Sequence, residues 1–168
     1  MKLVESTSPI IRTKTTDVTE ADLPFVQNQL GLMWQVMLDN NGIGLAATQV
    51  GFGKNFFIHN CNEDKTMEVI INPVIKSKSD SKIRFAEGCL SLPGKEFNID
   101  RSTEIVVEYK DIEFNEHNEK MQDYRARVFQ HEIDHLNGIC IDAVSYTHLR
   151  AHETREDRGL RGGGEKKK

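Results

Sequence analysis

Apolar residues recur at helical spacing through residues 22–42. Val26, Leu30, Met33 and Met37 fall on one face, and Trp34 and Leu38 widen it. Asp22 stands where an N-cap belongs, and Pro24 falls in the first turn, which tolerates a missing backbone N–H. Asn40-Asn41-Gly42 ends the pattern. These positions predict an N-terminal helix whose stripe, methionines included, packs into a core. The pattern then changes to short strands separated by turn residues. Phe56-Phe57-Ile58 runs to a turn at Cys61-Asn62-Glu63-Asp64, the stretch Met67 to Ile71 stops before Asn72-Pro73, and Ile105 to Tyr109 follows. A polar hairpin through Asn115-Glu116-His117-Asn118 precedes a last helical stretch, Tyr124 to Asn137, closed by Gly138 as a left-handed cap. Phe129, Ile133 and Leu136 form its aliphatic anchor, while Tyr124, Val128, His131 and His135 share an adjacent face that borders the core. Helix, short strands, helix predicts a single α+β domain with antiparallel strands around a C-terminal helix.

Composition narrows the class. A chain of 168 residues, 38% hydrophobic and 29% charged, has the size and balance of one soluble globular domain. No apolar run approaches the roughly 20 residues of a membrane span, and the N-terminus carries no visible export or organelle address. Cys61, Cys89 and Cys140 are an odd number at wide spacings, which suggests no disulfide framework and fits a reducing cytoplasm. The stretch Val144 to Thr154 resembles the in-frame translation of a sequencing adapter, and a low-complexity segment ending Gly162-Gly163-Gly164-Glu165-Lys166-Lys167-Lys168 follows it. The expected organisation is therefore a domain at 1–143 and an artefactual, unstructured tail at 144–168. That tail carries seven Lys/Arg and four Asp/Glu, so the net charge of −4 becomes −7 without it. So acidic a body argues against a nucleic-acid partner. His148 and His152, four apart, fall inside the adapter-like string and are set aside.

The chemistry lies in His131-Glu132-Ile133-Asp134-His135. Histidines four apart on a helix aim both imidazoles at one point, and a glutamate beside the first adds a general base to a metal site. Cys89, in Glu87-Gly88-Cys89-Leu90-Ser91, supplies the third ligand. Three protein ligands leave a fourth position for water, the mark of a catalytic rather than a structural site. A divalent ion there lowers the pKa of bound water from about 15.7 towards 7. Glu132 is the natural acceptor of its proton and the later donor to a leaving amine. The loop Gly42-Ile43-Gly44-Leu45-Ala46-Ala47-Thr48-Gln49 has glycines that let backbone approach a ligand, and Gln49 offers an amide donor for an oxyanion. His59 and His117 stand alone, and each reads as an ordinary surface residue.

Together, Gly42 to Gln49, Glu87 to Ser91 and Gln130 to His135 resemble the three motifs of the peptide deformylases, in the family's order and approximate spacing, over nearly the whole chain to about Asp142. The resemblance implies removal of the formyl group from the initiator N-formylmethionine of nascent peptides, with release of formate. It implies that Cys89, His131 and His135 hold the metal and that Glu132 is the acid/base. The Gln49 side chain and the Leu90 backbone N–H receive the oxyanion. Backbone around Gly44 aligns the peptide as an added strand, and Ile43, Tyr124 and Val128 line the methionine pocket. Iron(II) is the metal the family implies; the ligands by themselves suit zinc equally, with nickel and cobalt as further alternatives. The implied setting is a cytoplasmic monomer that meets the ribosome transiently and touches neither nucleic acid nor membrane.

Two departures from the family stand out. Gly94-Lys95-Glu96-Phe97 follows Leu92-Pro93 where some members carry a substrate-contacting arginine, and no arginine appears before Arg101. The C-terminal helix of many members has the adapter-like tail in its place. The rival reading is a zinc peptidase of the His-Glu-x-x-His type, whose third ligand is usually a downstream Glu or His. A non-catalytic metal-binding module would need a fourth protein ligand, for which Cys140 is the only nearby thiol.

Overall fold

The computed structural model describes residues 1–145. Its elements run α1 (Leu23–Asp39), β1 (Gly44–Ala46), β2 (Phe56–His59), β3 (Glu68–Lys78), β4 (Lys82–Cys89), β5 (Leu92–Ser102), β6 (Glu104–Lys110), β7 (Glu116–Gln122) and α2 (Asp123–Leu136). Five strands form one antiparallel sheet in the order β1-β2-β3-β6-β7, and β4 pairs with β5 as a separate hairpin. Helices α1 and α2 and the antiparallel sheets make the α+β domain the sequence predicts. No helix among the described residues is long and apolar enough to cross a membrane.

The sheet is covered on both faces, and β2 shows how. Phe56 and Ile58 pack with Val26, Met33 and Met37 of α1, whereas Phe57 packs with Phe129, Ile133 and Leu136 of α2. A strand buried on both faces needs no polar alternation, which explains the unbroken run Phe56-Phe57-Ile58. The same cover makes β2's last residue interior. His59 is fully buried, against the surface position expected of it. Its ring centroid lies 5.0 Å from that of Phe129, Nδ1 accepts the Cys61 N–H at 3.3 Å, and Nε2 lies 3.1 Å from Glu68 Oε2. Burial holds its pKa down at about 4. His117 stays at the surface, stacked on Tyr109 and 2.7 Å from Asp111.

Three local expectations change. Asp22 does not cap α1, because the preceding 3-10 turn already holds it in helical backbone conformation. Its carboxylate instead accepts from Thr19 N–H at 2.8 Å and Lys54 at 2.9 Å. Leu38, a helical step beyond Met37, rotates off the packed face and is exposed. Strand β3 does not stop before Asn72-Pro73 but passes through it on a bulge, with Asn72 at φ 50°. The Asn72 amide pairs with both the N–H and the C=O of Val18 at 2.8 Å, fastening the N-terminal segment to the sheet.

Helix α2 ends where the sequence says it should. Gly138 has φ +75°, and a Cβ there would lie 2.8 Å from the Arg12 carbonyl. The chain then folds back under the hairpin. Ile11, Cys89, Leu92, Ile99, Cys140 and Ile141 form a third core cluster, and Arg12 clasps Asp142 through bonds of 2.9 and 2.8 Å. Val144 packs on this cluster, one residue past the expected boundary at 143. The rest of the expected tail, from residue 146, lies outside the described residues.

Candidate metal centre

Three segments distant in sequence meet where α2 crosses β1 and the β4–β5 turn. Cys89 closes β4 and pairs with Leu92, so Leu90 and Ser91 form the tight turn between the strands. His131 and His135 lie one turn apart on α2, with their Nε2 atoms 3.2 Å from each other. Cys89 Sγ is 3.3 Å from His135 Nε2, and the three donor atoms lie within 4.8 Å of one another. The third segment is β1 with the 3-10 turn Ala47–Val50 behind it. Ala46 N–H donates to Gln49 Oε1 at 3.0 Å, which turns Gln49 Nε2 towards Cys89 Sγ at 3.6 Å and Ser91 Oγ at 3.2 Å.

The surroundings decide what these donors can hold. His131 Nδ1 lies 3.1 Å from Glu87 Oε2. A carboxylate there accepts a hydrogen bond from Nδ1–H, which fixes the tautomer and leaves the Nε2 lone pair facing Cys89 and His135. Two imidazole nitrogens and a sulfur crowded around one point repel unless a cation lies between them, and a thiol with two imidazoles is a donor set for a divalent transition metal. The residues therefore fit the implied ion. Burial and the neighbouring His131 hold the His135 pKa down, so its ring is neutral and free to ligate.

Glu87 belongs to an ionic network that sequence reasoning left without a role. Arg101 grips both its oxygens at 3.0 Å and also bonds Asp134, while Arg127 bonds Glu87 and the Ile99 carbonyl. Burial alone would raise the Glu87 pKa, yet hydrogen bonds from His131 and Arg101 prevail and hold it at about 2. Strand alternation carried the signal, since Glu87 and Cys89, two apart on β4, face one side. Its cationic partners come from β5 and α2, which only the folded register brings near. Arg101 is thus committed to the interior, and it is no substitute for the arginine missing at Gly94-Lys95-Glu96-Phe97.

Glu132 is 4% exposed, and its Oε2 has no hydrogen-bond partner among the described residues. Burial pushes its pKa up to about 7, the range of a group that both takes and gives protons near neutrality. A cleft of about 720 Å³ opens beside it. Ile43, Gly44, Gln49, Leu90, Tyr124 and Val128 line this cleft together with Cys89, His131 and Glu132, while His135 lies deeper. One relationship was not foreseen. Cys140, outside the donor group, shares a core cluster with Cys89, and its thiol together with burial pushes the Cys89 thiol up.

The geometry has a known counterpart. The family model for polypeptide deformylase matches residues 1–149. A peptide deformylase of Finegoldia magna is 39% identical over 131 residues, which is 78% of this chain and 80% of the relative. The crystal structure of a probable peptide deformylase from Synechococcus phage S-SSM7 superposes with a TM-score of 0.80 at 33% identity, covering 86% of this chain and 99% of that one. A Met-Ala-Ser-bound class I type b peptide deformylase from Acinetobacter baumannii gives 0.78 at 28% identity, covering 84% and 96%. The chain belongs to the polypeptide deformylase family of metal-dependent hydrolases, which remove the N-formyl group from nascent peptides.

Proposed function

We propose that this chain deformylates N-formylmethionyl peptides with Cys89, His131 and His135 as metal ligands and Glu132 as the acid/base. The observation that carries this is the convergence of three donor atoms within 4.8 Å beside a buried glutamate at the end of a cleft. A divalent ion held there, iron(II) by the family's precedent and zinc, nickel or cobalt by the donor set, supplies Lewis acidity and eases deprotonation of water at neutral pH. Glu132 takes a proton from the attacking water and passes it to the peptide nitrogen as the formyl C–N bond breaks, giving formate and a free amine. The Gln49 Nε2 and the Leu90 backbone N–H receive the negative charge that develops on the formyl oxygen.

Substrate alignment follows from topology. Strand β1 is an edge of the five-stranded sheet, so the backbone around Gly44 can accept a peptide as a further strand. The methionine side chain then meets Ile43, Tyr124 and Val128, all on the cleft wall. A relative that binds Met-Ala-Ser supports a short peptide beginning with methionine as the occupant. We place the working domain in residues 1–143. Its setting is a cytoplasmic monomer that meets nascent chains transiently at the ribosome, without nucleic acid or membrane.

The test is formate release from a formyl-Met peptide by the iron-loaded chain, beside the same peptide unformylated. Formate from the first alone is expected. Metal-loaded protein that leaves the formyl peptide intact would overturn the assignment, and cleavage of an internal bond in the control would favour the zinc-peptidase reading.

A further inference from the structure

The two groups assigned to the oxyanion sit on different elements, and one hydrogen bond joins those elements. Leu90 and Ser91 form the turn between β4 and β5, so the Leu90 N–H and the Ser91 hydroxyl belong to the same short loop. Gln49 rides the 3-10 turn behind β1, and its backbone carbonyl accepts the Val4 N–H at 2.9 Å. Its Oε1 accepts the Ala46 N–H at 3.0 Å, and its Nε2 donates one proton to Ser91 Oγ at 3.2 Å. The second Nε2 proton faces the Cys89 sulfur at 3.6 Å, a weak acceptor that yields readily to a developing negative charge. Gln49 is 1% exposed and Ser91 is 6% exposed, so bulk water does not replace either bond when it is lost.

We propose that Ser91 is a positioning residue for the oxyanion: its hydroxyl engages one Gln49 Nε2 proton, turns the other towards the formyl oxygen, and sets the spacing of Gln49 from the Leu90 N–H. The two N–H bonds of an amide lie in one plane, so holding one aims the other. With Oε1 tied to Ala46 and one N–H tied to Ser91, that plane is settled before a peptide enters the cleft. The second N–H then meets the developing charge without reorganising, which is the condition under which such a donor contributes most. Without the Ser91 hydroxyl, the Ala46 bond alone would hold the amide, which could then turn about it. Ser91 thus acts through Gln49. The inference rests on the deformylation reading for the identity of the oxyanion, whereas the Ser91–Gln49 bond stands independently of it.

The test compares Ser91→Ala and Ser91→Thr in the metal-loaded full chain, alone and combined with Gln49→Ala. Losing a whole oxyanion donor costs about 10²–10³-fold in kcat, so Ser91→Ala, which leaves the Gln49 amide present but free to turn, should cost roughly tenfold. KM should stay within about threefold and metal near one per chain, because neither substrate binding nor the three donors are touched. Ser91→Thr keeps the hydroxyl and should recover most of the kcat. In the Gln49→Ala background, Ser91→Ala should cost less than about twofold more, since the group it positions is already gone. A second readout needs no turnover. In the isotope-labelled, zinc-loaded chain, the Gln49 Nε2 protons should exchange with water at least roughly tenfold faster in Ser91→Ala than in the native chain. Additive losses in the double variant, loss of metal from Ser91→Ala, or exchange equal to the native rate would overturn the proposal. A native chain that releases no formate would instead remove the deformylation reading, and the exchange rates would still decide whether Ser91 holds Gln49.

Discussion

Gly44 and Glu132 share a boundary with no room for a side chain. A Cβ on Gly44 would fall 2.8 Å from the Glu132 carboxyl carbon and closer still to Oε1. Gly42 is similar, since a Cβ there would lie 2.7 Å from Leu90 Cδ1. The two glycines that suggested close approach to a ligand are therefore also fitted to the protein's own site. They let β1 dock against α2 on one side and against the β4–β5 turn on the other.

Gly44→Ala should displace the Glu132 carboxylate, because the added Cβ would fall on the carboxyl group and on the Cγ behind it. The expected outcome is a kcat on a formyl-Met peptide lowered by roughly 10²-fold, the scale of an ångström-sized misplacement, with metal content unchanged. Kinetics paired with metal analysis check it. A kcat near that of the native chain would mean that Glu132 tolerates the shift.

Glu132→Ala removes the proton carrier and leaves the three donors in place. Metal should stay near one per chain while turnover falls by about 10²–10⁴-fold, the usual loss of an acid/base. Retained turnover at full occupancy would remove Glu132 from the chemistry.

Glu87→Gln tests the carboxylate behind His131. Metal affinity should fall by about 10–100-fold in a chelator competition, as for other partners that orient a metal-bound histidine. Acid stability should change too. The Glu87 pKa of about 2 lies below the ordinary 4.5, so its stabilisation is complete above about pH 4.5 and is lost as the pH falls towards 2. A displacement of that size is worth on the order of 3 kcal/mol. Urea unfolding of the metal-free chain between about pH 5 and 2 should show a steeper decline for the native chain than for the variant, and equal slopes would point to another group.

Removing residues 146–168 should leave deformylation of a small formyl-Met peptide within a few-fold, since every residue on the cleft wall lies between Asn40 and Glu132. Cutting after Ser145 keeps Val144 on its core cluster. A large fall in melting temperature would show that this segment covers core surface.

Much of the site was legible because its spacing is local. His131, Glu132 and His135 owe their common face to the helical period alone. Gly138 likewise ended α2 for a local reason, the left-handed turn it supplies. Where a residue's fate depended on what lay across from it, local pattern misled. His59 looked like a strand-end surface histidine, yet α2 lays Phe129 over it. Asn72-Pro73 looked like a stop, yet the Val18 backbone rewards a bulge there.

By itself the sequence determined the two helices, the apolar strand β2, the family's three motifs and the identity of the donor residues, all properties of period, spacing and side-chain type. Tertiary structure alone decided that Glu87 orients His131 under the grip of Arg101 and Arg127, that Glu132 is buried against Gly44, and that Cys140 joins Cys89 in one core cluster. Each of these joins elements whose register and packing arise only on folding. Burial then sets their charge states, by removing the water that would otherwise screen them.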